Sequence, residues 1–201
     1  MTPLPSSWAR AWSDLGLQPP LGVFEQLVRA YEEPQRHYHS LQHLRECLMH
    51  FEQARYLAQQ PGEVAIALWF HDAIYDVRGK DNERVSADWA IRVLASCHAS
   101  QVTLARVEQL IMVTRHDATP SEPDEQLLVD IDLAILGATP ERFAEYDTQV
   151  RAEYAWVPGF VYRMKRRSVL RSFLARSMIY STDHFRARYE AQARVNLAGV
   201  V

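Results

Sequence analysis

The segment LWFHDAIYD, residues 68–76, sets His71 beside Asp72 in a run that is otherwise almost wholly apolar. Burying either group without a partner is costly, so the pair implies that something compensates it. Two other stretches pose the same problem. RHYHSLQH, residues 36–43, places His39 and His43 four apart, which on a helix puts them on one face. LLVDIDLAILG, residues 127–137, carries Asp130 and Asp132 among aliphatic residues with no basic residue in the segment, and a metal cation would satisfy such a carboxylate. Imidazole and carboxylate together are the ligand set of Zn, Mn, Fe, Co or Ni, and carboxylate-rich sites also take Mg. Such a set leaves room for water and a substrate oxygen, so that the ion can activate water near neutral pH and polarise a phosphoryl group. Taken singly, each piece also has a plain reading, as a solvated helix start or a chance dipeptide. Their combination points to a metal.

These residues need elements to bring them together. Apolar residues recur at helical spacing over residues 23–31, 40–57, 63–74, 83–95, 103–113, 125–136, 140–154, 158–180 and 183–197. Ser40 and Thr139 are in N-cap position, with Pro140 at the first helical residue, and Asp183 is placed to cap the last helix. The segment 63–74 is more uniformly apolar and predicts a central helix buried on most sides. Strand-like alternation is nearly absent. The expectation is an all-α protein, a single helical-bundle domain over residues 1–201 with eight or nine helices.

Composition narrows the function. Apolar residues make up 48% and charged residues 23%, an ordinary globular balance, and the net charge of −3 offers no global basic field for nucleic acid. Seven glycines in 201 residues is a low count, which disfavours glycine-rich phosphate loops and hairpin-rich β folds. Cys47 and Cys97 lack metal or redox spacing and read as small hydrophobes in a reducing compartment. No secretion signal or membrane-length apolar run is visible, so the expected location is the cytoplasm.

With those residues in view, the chain resembles the HD superfamily of metal-dependent phosphohydrolases, whose H…HD…D pattern falls on His43, His71, Asp72 and Asp132. More narrowly it is similar to a bacterial family of predicted metal-dependent HD phosphohydrolases, through RHYHSLQHL, ALWFHDAIYD, DNERVSA, VTRHD, DIDLAILG, VRAEY and EAQARVNLAG. The resemblance implies an all-α fold, a divalent metal ion held by those four residues, and hydrolysis of a small phosphorylated substrate, a nucleotide above all. YHSLQH is also similar to a YHNxxHA signature of cyclic-nucleotide phosphodiesterases, in which the first His donates a proton and the second binds metal. That implies a catalytic His39, although Ser40 stands where the signature has Asn. DIDL is similar to the ADL segments of other HD enzymes, which selects Asp132 as ligand and leaves Asp130 a supporting or structural role.

Further residues are candidates around such a site. Glu83 is placed to manage proton transfer, and Asp76 reaches the same cavity if the helix continues past Asp72. Asn82 and His116 are substrate-binding or supporting candidates, with a helix-end surface position as the plain alternative. Arg36, Arg163 and Arg167 are candidates to clamp an anionic substrate. In YRMKRRSVLRSFLAR the core face is expected at Phe160, Val161, Met164, Leu170, Phe173 and Leu174, with most charges outside. Tyr38, Trp69 and Tyr75 offer aromatic walls for a base-sized pocket, whereas His37, His50, His98 and His184 read as surface. The implied partner is a small phosphorylated molecule, with neither a nucleic-acid polymer nor a membrane, and homo-oligomerisation is left open. Two alternatives keep the fold: a di-iron oxygenase, for which only His116, and less well His98, would supply the added ligands, and a non-catalytic module using the metal as a clip.

Overall fold

A computed structural model describes residues 3–117 and 119–200. Ten α-helices and no strand are found among them. The chain divides into two compact units, residues 1–129 and 130–201. The first contains α1 (Leu4–Asp14), α2 (Val23–Tyr31), α3 (Leu41–Ala54), α4 (Pro61–Phe70), α5 (Asn82–Ser96) and α6 (Gln101–Met112). The boundary falls within α7 (Pro123–Asp132), and the second unit continues with α8 (Pro140–Glu153), α9 (Gly159–Leu174) and α10 (Asp183–Val200). No helix is long and apolar enough to cross a membrane among the described residues.

The first unit is built around α4. Every residue from Gly62 to Phe70 is buried, and α1, α3, α5 and α6 all pack on this helix. An apolar run without a polar face can only be satisfied this way. Gly62 lets α1 approach: a Cβ there would stand 2.9 Å from the Leu15 nitrogen and 3.0 Å from the Asp14 carbonyl carbon. The one charged residue of α4, Glu63, is buried and paired with Arg106 of α6 at 2.5 and 2.6 Å. Helix α1, which periodicity did not bring out, contributes Trp8 and Trp12 to an aromatic core with Trp69 and Phe24.

The helix starts follow local chemistry. The Ser40 hydroxyl accepts from the Gln42 amide and caps α3, and Thr139 accepts from Arg142 and caps α8. At α10 the structure differs from the expectation, since the Thr182 hydroxyl rather than Asp183 accepts a bond from the helix, from the Phe185 amide. In α9 the inward face also differs. Tyr162, Leu170 and Phe173 are buried, while Phe160 is 70% and Met164 64% exposed. Arg166 explains the rotation: its guanidinium lies over the Tyr146 ring and pairs with Asp147 of α8, so the face that carries Arg166 turns inward.

Within the second unit, α10 packs on the 3₁₀ turn Leu133–Gly137. Asn196, in the VNLAG segment, donates to the carbonyls of Leu136 and Ala138, and Tyr180 donates to that of Leu133.

Candidate metal centre

α4 ends at Phe70, and His71 is its C-cap, so the His-Asp pair sits at the helix terminus rather than inside the helix. His71 is buried, and its Nδ1 lies 2.9 Å from the Leu68 carbonyl oxygen. A carbonyl only accepts, so Nδ1 donates, and in the neutral ring Nε2 presents a lone pair on the opposite side. His43 comes from the first turn of α3, also buried, and brings its Nε2 to 3.2 Å from that of His71. The Asp72 Oδ2 completes a triangle, 3.0 Å from His71 Nε2 and 3.4 Å from His43 Nε2.

Burial by itself raises the Asp72 carboxyl. When the rings carry protons, the positive charge of His71 and then of His39, with hydrogen bonds from His43 and His71, outweighs it and holds the group well below the ordinary carboxylate range; a cation among the donors would take the place of those protons. Three lone-pair atoms converging on one point repel one another unless a proton or a cation lies among them. Donor atoms at about 2.1 Å from one ion, at angles between octahedral and tetrahedral, stand about 3.0–3.4 Å apart, which is the spacing of these three. Orientation of His71 by a backbone carbonyl is the usual support for a metal-binding imidazole. The residues therefore fit a divalent ion.

Cys47 joins this group. It lies one turn after His43 on α3 and is buried, with its sulfur 3.7 and 3.6 Å from the His43 Nδ1 and Nε2. Ligand atoms of His43, Cys47 and His71 lie within 4.8 Å of one another, a buried set that could hold a metal. From the sequence alone Cys47 reads as a small buried hydrophobe, and it is indeed buried. The signal that would have found it is its four-residue spacing from His43.

The surroundings sort the remaining candidates. His39 is half-buried, stacked on Tyr75 at 4.1 Å between ring centroids and edge-on to Tyr38 at 4.9 Å. Tyr38 in turn lies 4.8 Å from the His43 ring. Trp69 is different: it is wholly buried against Trp8 and Phe24, a core residue rather than a pocket wall. Arg36 is buried, and its guanidinium donates to the carbonyls of Asp72, Ala73 and His39.

Because α4 stops, Asp76 is not one helical turn beyond Asp72; it is exposed in the connection to α5. Its amide and carbonyl are paired with the Asn82 side chain, and its carboxylate accepts from the Arg78 amide. Both residues thus shape the loop. Glu83 is half-buried in the first turn of α5. His116 is half-buried in left-handed backbone (φ 56°) after the 3₁₀ turn Val113–Arg115, and His98 is exposed.

In the second unit, Asp130 is fully buried and its oxygens accept from the Ser181 and Thr182 amides and the Thr182 hydroxyl at 2.7 Å each. Burial raises its carboxyl, and those bonds offset only part of the rise. Asp132 is the half-buried last residue of α7. Arg163 and Arg167 are exposed on α9, where they line a surface groove with Phe160, Met164 and Arg171.

Comparison with protein-family models, with curated proteins and with solved structures found no match for this chain. The chemistry of the site rests on the donors themselves: an all-helical protein carries a buried histidine-, cysteine- and carboxylate-containing group that could bind a metal.

Proposed function

We propose that the protein is a metal-dependent phosphohydrolase of the HD type, acting on a small phosphorylated substrate, with a nucleotide as the preferred class. The observation that carries this reading is the triangle of His43 Nε2, His71 Nε2 and Asp72 Oδ2, with edges of 3.0, 3.2 and 3.4 Å. The H…HD…D resemblance supports it and adds Asp132 as a further carboxylate donor. When bound, the ion supplies Lewis-acid polarisation of a phosphoryl oxygen and lowers the pKa of water.

The chain's own residues divide the remaining work. His43, His71, Asp72 and Asp132 bind the ion. His39 delivers a proton to the leaving oxygen, with its ring held by the stack on Tyr75. Glu83 takes the proton from the attacking water. Arg163 and Arg167 are the cationic side chains offered to an anionic substrate.

Metal analysis of the purified protein, followed by a phosphate-release screen across nucleotides with and without divalent ions, tests this reading. The wild type is expected to retain a divalent ion and to turn over at least one phosphoester, and Asp72→Ala to lose both. Phosphate release that persists in metal-free Asp72→Ala protein would sink the proposal.

Cys47 favours a second reading. With His43, His71 and Asp72 it makes an N₂SO donor set, and four protein donors are the number that closes a tetrahedral zinc site. In that reading the protein is a binding module and the ion is a clip.

A further inference from the structure

We infer that Arg36 is a positioning residue for the candidate metal centre, setting the backbone that carries both Asp72 and His39; this rests on the metal reading above. α4 ends at Phe70, and the carbonyls at a helix end need partners from outside the helix. Arg36 meets that need for the turn that follows. Its Nη1 donates to the Asp72 carbonyl at 2.5 Å and to the His39 carbonyl at 3.3 Å, and its Nη2 donates to the Ala73 carbonyl at 2.9 Å. Its Nε donates to Glu33 at 3.0 Å, which fixes the plane of the fork. The side chain is 1% exposed, and the guanidinium lies over the rings of Tyr31 and Tyr75, at 5.3 and 5.6 Å from their centroids.

This geometry separates two roles for a buried arginine. A clamp for an anionic substrate presents its N–H groups to a cavity. Arg36 spends its donors on three carbonyls and one carboxylate of the chain, beneath the surface. One guanidinium therefore joins the peptide of Asp72, whose carboxylate is in the donor triangle, to the peptide of His39, whose ring stacks on Tyr75. The planar fork is what spans both segments. A lysine ammonium has the charge but not the fork, so it cannot hold both at once.

The test uses Arg36→Lys in the full chain, with Co²⁺ as the probe. Two quantities are read: Co²⁺ affinity from its visible absorption, and amide hydrogen exchange of the metal-free protein. Arg36→Lys is expected to keep the helical circular dichroism of the wild type. It is expected to bind Co²⁺ at least about tenfold more weakly, the usual scale for loss of a supporting contact, with altered visible bands. Faster exchange is expected at Ala73 and Ile74, with Leu44 and Phe51 of α3 still protected.

Wild-type Co²⁺ uptake that Arg36→Lys leaves unchanged, with unchanged exchange at Ala73, overturns the positioning role alone. A wild type that takes up no Co²⁺ overturns the metal reading on which the role depends. If Arg36→Lys does not fold, Glu33→Gln decides the matter. It alters a half-exposed residue and replaces the carboxylate that accepts from the Arg36 Nε with a neutral amide oxygen, a weaker acceptor, so it should weaken Co²⁺ binding by a smaller factor, and unchanged binding overturns the role.

Discussion

At the scale of single residues, the centre is defined by which atom faces which. The Leu68 carbonyl fixes the tautomer of His71, and that one bond decides that Nε2 points at His43 and Asp72. Cys47 is the residue whose role separates the two functional readings. If the ion is held open for catalysis, Cys47→Ser should change metal affinity and turnover less than about threefold. If Cys47 closes the coordination sphere, the same change should cost at least about tenfold in affinity. Titration of both proteins with Zn²⁺ against a competing chelator distinguishes the outcomes.

Tyr31 gives a pH prediction from the same region. Burial pushes its phenol up to about 12, and its hydroxyl donates to the Trp69 carbonyl at 3.2 Å. A raised folded value means that the unfolded chain loses this proton first as the pH climbs. The stabilisation is therefore complete below about pH 10 and is lost as the pH rises through about 12. The free energy of unfolding of the wild type should fall relative to Tyr31→Phe by about 2–3 kcal/mol across that window. Urea unfolding at pH 9, 10.5 and 12 measures the difference.

Elements set the reach of these residues. Ser40 starts α3 and so fixes the turn on which His43 stands. Ser40→Ala should cost about 1 kcal/mol of stability, read by chemical denaturation, and should loosen the first turn of α3 in hydrogen exchange. Gly62 belongs to a different mechanism, since a methyl there would press on the backbone at Asp14 and Leu15. Gly62→Ala should destabilise by about 1–3 kcal/mol through overpacking between α1 and α4. The starts of α3 and α8 were legible because caps are local chemistry, at Ser40 and Thr139. The face of α9 was not. Counting apolar residues cannot anticipate that Arg166 turns inward, because the reason is the Tyr146 ring and Asp147 on another helix.

At the scale of the whole molecule, the two units have different anchors. In the second, Asn196 is the buried polar tie between α10 and the turn after α7. Asn196→Ala removes two donors from buried carbonyls and should cost about 1–3 kcal/mol, read as a lower denaturation midpoint with faster exchange in α10. The sequence by itself determined the all-helical class, the central place of the apolar segment around Val64 to Phe70, and the candidate donors His43, His71 and Asp72. Periodicity and ligand type are properties of the chain, so they could be read from it. Tertiary structure alone decided that α4 stops before His71, that Trp69 lies in the core, that Arg36 serves backbone carbonyls, and that Cys47 borders the donor triangle. Each of these depends on which atoms from distant segments meet, and no local pattern encodes that meeting.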